Sequence, residues 1–153
     1  MGAAAPDSPQ AAIKTMRVIG VAIASGVTAA ALVAWSVQRG GPPPPTATPA
    51  LFYVWIAVAT SLLAASMILW RGNVVPLIQR PALGSAWRKR ARKIQTGVVV
   101  SWLVVGGGAI FGVILCFAWG IWQAGALGAA MMWITLAITW PRDEWLAAGS
   151  GAE

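Results

Sequence analysis

Few residues in this chain can do chemistry, and apart from the adjacent Asp143-Glu144 the acidic and thiol groups lie far from one another. It has no histidine, a single cysteine (Cys116) and four acidic residues: Asp7, Asp143, Glu144 and Glu153. Metal sites and nucleophile–base pairs need clustered His, Cys or carboxylate groups, and no such cluster is present in the sequence. Cys116 lies inside an apolar run, where a lone thiol acts as a small hydrophobe. The one dense ionisable group is basic: Arg88, Lys89, Arg90, Arg92 and Lys93 in near succession. Side chains of that type bind anions. Ser85 can cap a helix beginning at Ala86-Trp87, and Trp87, Ala91 and Ile94 then share one face, with most of the cations around the other sides. A short basic amphipathic helix suits an anionic headgroup layer or an acidic partner surface. Each cation near such a surface is worth about 1 kcal/mol. The same cluster also reads as a purely topogenic signal.

The elements that must carry these residues are membrane helices. Only 10% of the 153 residues are charged and 58% are hydrophobic, against about 25% and 45–50% in soluble domains. Uncharged runs of 18 or more apolar residues mark spans. The expected division is a tail over 1–17, a span over 18–38, a Pro-rich outer loop over 39–50 and a second span over 51–70. A basic loop over 71–95 follows, then spans over 96–119 and 123–140 and a tail over 141–153. Residues 18–38 reach about 31 Å as a helix, the thickness of the hydrocarbon core. Arg71-Gly72-Asn73 reads as the end of the second span, and Trp119-Gly120-Ile121-Trp122-Gln123 as the turn between the last two. Barrel strands would alternate apolar and polar residues, and Ala29-Ala30-Ala31-Leu32-Val33-Ala34 does not. The expected fold is therefore all-α, an integral membrane four-helix bundle of two transmembrane hairpins.

Orientation follows from Lys and Arg, which favour the cytoplasmic side. With four spans, ten basic residues fall on the side of the two tails and the 71–95 loop, and only Arg39 on the other. Both termini are thus expected inside (N-in/C-in), in a bacterial cytoplasmic membrane. Most of the net charge of +7 flanks spans, so it argues for topology and lipid headgroups rather than nucleic acid. Trp35, Trp55, Trp119 and Trp122 near the outer span ends, and Trp70, Trp140 and Trp145 near the inner ends, fit aromatic belts. Trp102 and Trp133 lie deeper, where packing explains them and stacking on a pigment or quinone is the alternative. Lys14 and Arg17 ahead of an apolar run also resemble a signal peptide, and we expect that run to be kept as a span. Met1-Gly2 opens like a myristoylation signal, but Pro6 stands where Ser or Thr is needed. Consecutive prolines at Pro42 to Pro45 predict a stiff, extended outer loop.

No Asp, Glu, Lys or Arg lies within the four expected spans. Proton and ion paths usually rely on such groups, so the interior points away from an enzyme. The span polar groups, Ser25, Thr28, Ser36, Thr60, Ser61, Ser66, Ser101, Thr135 and Thr139 among them, suit hydrogen bonds within or between helices. Small residues recur every fourth position: Ala22, Gly26, Ala30 and Ala34 in span 1, and Gly108 and Gly112 as a G-x-x-x-G in span 3. Such stripes let helix backbones approach closely in lipid.

The segment Gly108-Ala109-Ile110-Phe111-Gly112-Val113-Ile114-Leu115 resembles the region around the ion-binding position of duplicated rotor-ring (c-type) proteolipids of rotary ATPases. That resemblance implies a four-helix membrane chain. It does not extend to rotation, because the ion-binding carboxylate is missing and Gly106 to Gly108 stand in span 3. Small four-helix multidrug exporters share the architecture, but depend on a membrane glutamate that span 1 lacks.

These features lead to the expectation of a non-catalytic accessory subunit of a larger membrane complex, with respiratory and photosynthetic assemblies among the options. Its expected partners are other integral membrane subunits and anionic lipids. No cofactor is implied, although the apolar faces leave room for a lipid, carotenoid or quinone. A stand-alone transporter or channel and a membrane assembly factor are the alternatives.

Overall fold

The computed structural model describes residues 8–41, 49–79 and 87–147. The prolines Pro42 to Pro45 and the Ser85 cap lie outside them. Among the described residues the chain is helical outside short turns, without strands. The elements are α1 (Pro9–Gly40), α2 (Pro49–Leu69), a π-helical turn (Trp70–Val74), α3 (Val75–Gln79), α4 (Trp87–Trp119), α5 (Trp122–Ile138) and α6 (Glu144–Ala147). Three helical stretches are long and apolar enough to cross a bilayer: Pro9–Gly40, Pro49–Gln79 and Arg88–Trp119. Outward-facing Leu32, Val33, Ile68, Leu103, Ile110 and Ile134 form an apolar exterior. This is the architecture of an integral multi-pass membrane protein.

Local sequence explains the ends. Ser8 caps α1 by accepting from the Ala11 N–H at 3.2 Å, and Pro9 occupies the first helical position, where its missing N–H is harmless. The helix thus starts before Lys14 and Arg17, earlier than the expected span. Gly120, at φ 68°, ends α4 in the left-handed conformation that glycine adopts without strain. Its N–H bonds the Cys116 carbonyl at 3.0 Å, and α5 turns back along α4 as expected.

Arg71-Gly72-Asn73 is not a stop. The chain passes through it as a π-helical turn, in which Val75 N–H reaches the Trp70 carbonyl, and continues helical to Gln79. An α-helix would press the Pro76 ring against the Gly72 carbonyl four residues back, and the widened turn relieves that clash. With α4 beginning at Trp87, the region expected as a 71–95 loop is helical at both described ends.

The central helix is α4, which packs on α1, α2 and α5. One core lies toward the basic end, built from Ala12, Ile13, Met16, Ile94, Val98, Trp102, Met132 and Leu136 with Trp145 and Leu146 of α6. A second, at the opposite end, gathers Trp55, Ala59, Leu115 and Ala124. Arg17 closes the basic end: its Nε donates to the Pro141 carbonyl at 2.9 Å and its Nη2 to Asp143 at 3.1 Å.

Candidate functional site

The basic cluster sits on the first turns of α4, and helical geometry divides its five members. Arg88, Lys89, Arg92 and Lys93 are exposed. Arg90 points inward, 9% exposed, and its Nη2 donates to the Ile78 carbonyl of α3 at 3.0 Å. Its Nε and Nη1 are buried with no hydrogen-bond partner among the described residues. Arg90 thus ties α4 to α3, and the other four define the charged surface.

That surface borders a groove of about 660 Å³ between the π-helical turn with α3 and the start of α4. Arg92, Lys93, Asn73 and Thr96 line it with polar groups, and Leu69, Leu77 and Val100 with apolar ones. Close helix approach builds its wall, because a Cβ on Gly97 would lie 2.7 Å from Val74 Cγ2. Of the five expected contact residues, only Arg92 and Lys93 line this groove. Gly72 and Asn73 entered the sequence reading only as part of a helix stop, and Thr96 only as the start of a span. The sequence signal for them was Pro76, whose steric demand forces the turn.

The small-residue positions separate similarly. Gly108 and Gly112 are buried in α4. A Cβ on Gly108 would lie 3.2 Å from Leu62 Cδ1 of α2, and one on Gly112 would lie 2.5 Å from the Ala124 carbonyl oxygen of α5. In α1, Ala34 is buried, whereas Ala22, Gly26 and Ala30 are exposed, and a Cβ on Gly26 would meet nothing within 4 Å. The inward face of α1 instead carries Gly20, Ala24 and Val27. A spacing of four overshoots the 3.6-residue turn by about 40°, so the Ala22–Ala34 stripe winds from the outside to the core. Gly20 makes the tightest α1 contact, with Cβ distances of 2.5 Å to Leu136 Cδ1 and 2.8 Å to the Trp102 ring.

Some span hydroxyls and indoles make helix–helix bonds, whereas Thr60 and Ser61 bond carbonyls of their own helix. Ser66 of α2 and Ser101 of α4 are fully buried with their Oγ atoms 2.6 Å apart. Each also reaches the other's backbone carbonyl, at 3.0 and 3.2 Å. Trp102 Nε1 donates to Thr139 Oγ1 at 2.7 Å, and that hydroxyl donates to the Thr135 carbonyl. Trp55 Nε1 donates to the Gly108 carbonyl at 3.1 Å, and Trp133 Nε1 to Thr28 Oγ1 at 2.9 Å. Both deep tryptophans, Trp102 and Trp133, therefore hold neighbouring helices.

A second groove, of about 700 Å³, lies between α1 and α5 at the opposite end, bordered by Thr28, Leu32, Trp35, Trp122 and Ala126. The Arg39 guanidinium stacks 4.0 Å from the Trp35 ring centre at its mouth. Gln38 there donates to the Phe117 carbonyl, joining the ends of α1 and α4. In chemical terms, the described residues present cations at the basic end and mostly apolar side chains elsewhere. No protein-family model, curated protein or solved structure matches this chain.

Proposed function

We propose that this chain is a non-catalytic structural subunit of a larger complex in a bacterial cytoplasmic membrane. It crosses the bilayer four times with both termini inside. The apolar α5 supplies the fourth crossing: its 17 residues reach about 25 Å as a helix, and Thr139-Trp140 carry the chain toward the interface. Respiratory and photosynthetic complexes are the assemblies to search first. The segment that resembles rotor-ring proteolipids is where α4 packs on α2 and α5, which supports a packing role for its glycines.

The observation that carries this reading is the unequal use of helix surface. In their most apolar windows α4 is 50% buried within the chain, but α1 only 22% and α2 17%. The outward face of α1 holds Ala22, Gly26 and Ala30, the residue sizes that allow another helix to approach closely. The span hydroxyls and indoles described above support it further, because they are engaged in packing.

The test is native mass after gentle extraction, with Gly26→Leu as the probe. The added side chain enters open space, so the isolated bundle stays folded while the chain separates from larger subunits. A chain that migrates alone before mutation, and carries solute across liposomes, would make the transporter reading the correct one.

A further inference from the structure

The groove beside the π-helical turn has the form of an amphiphile site, and its charge selects the amphiphile. Its polar end carries Arg92 and Lys93, and no described carboxylate pairs with either: Asp143 bonds Arg17. Asn73 adds an amide beside them. From Arg92 to Val100 the groove follows two turns of α4, about 12 Å along the helix axis, from cations to bare hydrocarbon. Val100 is 42% exposed at that apolar end, and Leu69 lies opposite it on α2.

We infer that this groove holds one anionic phospholipid. Its phosphate lies between Arg92 and Lys93, with Asn73 as an amide donor and an acyl chain over Leu69 and Val100. Charge-assisted hydrogen bonds to phosphate oxygens are the strong ones, and an anionic leaflet supplies the ligand at high local concentration. A soluble phosphate would satisfy the cations but leave the apolar end uncovered, so the lipid is the better match. This inference differs from a diffuse basic collar. Arg88 and Lys89 lie outside the groove, and Arg90 is committed to the Ile78 carbonyl. It stands whether the chain works alone or as a subunit.

The experiment equilibrates the purified full-length protein with equal amounts of phosphatidylglycerol and phosphatidylcholine in mixed micelles, and reads retained lipid by native mass spectrometry. Wild type should retain one phosphatidylglycerol. Arg92→Gln/Lys93→Gln should reduce the preference for it about thirtyfold, from roughly fivefold per cation. Arg88→Gln/Lys89→Gln removes the same charge and should reduce the preference several-fold less, because neither side chain lines the groove. Gly72→Leu provides a charge-neutral arm: a Cβ there meets nothing within 4 Å, so the helix is kept while the side chain fills the groove and expels the lipid. Inorganic phosphate at matched ionic strength should not displace the lipid. Equal losses in the two charge variants, full retention by Gly72→Leu, or displacement by inorganic phosphate would each overturn the inference.

Discussion

Two glycines that look alike in sequence should respond oppositely to the same substitution. At Gly112 a new Cβ would stand 2.5 Å from the Ala124 carbonyl oxygen, 3.0 Å from its carbonyl carbon and 3.0 Å from Trp55 Nε1. Two of those atoms are backbone. The third belongs to an indole that is 1% exposed and already bonded to the Gly108 carbonyl, so no flexible side chain can move aside and α4 must separate from α5. Overpacking a core costs about 1–3 kcal/mol, and a backbone clash falls at the upper end, about 3 kcal/mol. Alanine's helix propensity offsets about 1 kcal/mol, leaving Gly112→Ala about 2 kcal/mol less stable, or roughly thirtyfold in the folding equilibrium. At Gly26 the Cβ enters open space, so Gly26→Ala should be neutral or up to about 1 kcal/mol more stable. Reversible unfolding in mixed micelles with rising SDS, followed by tryptophan fluorescence, measures both. Equal stabilities for the two variants would refute the packing of α4 on α5 described above.

Other expectations follow from single contacts. Thr139→Val should cost about 1–3 kcal/mol, because it strands the buried Trp102 N–H; in a Trp102→Phe background the same substitution should cost measurably less. In a Cys116→Ala background, cysteines at Gly41 and Gln79 should lie on opposite sides of the membrane. An impermeant thiol reagent on intact cells should label the first and spare the second, and equal labelling would rule out two inside termini. Native Cys116, 1% exposed, should resist thiol reagents until the bundle unfolds.

The sequence alone determined that the chain is helical and apolar enough for a bilayer, because charge is nearly absent between a few short basic segments. It also placed a reversal near Trp119-Gly120-Ile121-Trp122-Gln123, since the uncharged run is too long for one helix, and the structure puts the left-handed residue at Gly120. The face each helix buries was left open. In a soluble helix a polar side marks the exterior, but lipid and protein interior are equally apolar. Ala22-Gly26-Ala30-Ala34 and Gly20-Ala24-Val27 were therefore equivalent as letters. Only the packed structure set Gly20 against Trp102 and Leu136 and left Gly26 facing outward. The basic cluster gives the same lesson at its own scale. Composition grouped five cations, whereas the angular step of α4 and its packing on α3 turned Arg90 inward and aimed Arg92 and Lys93 at the groove. That groove lies beside a π-helical turn where the letters suggested an end. Beside that turn Val74 packs against Gly97 of α4, a contact between residues far apart in sequence that the letters do not show.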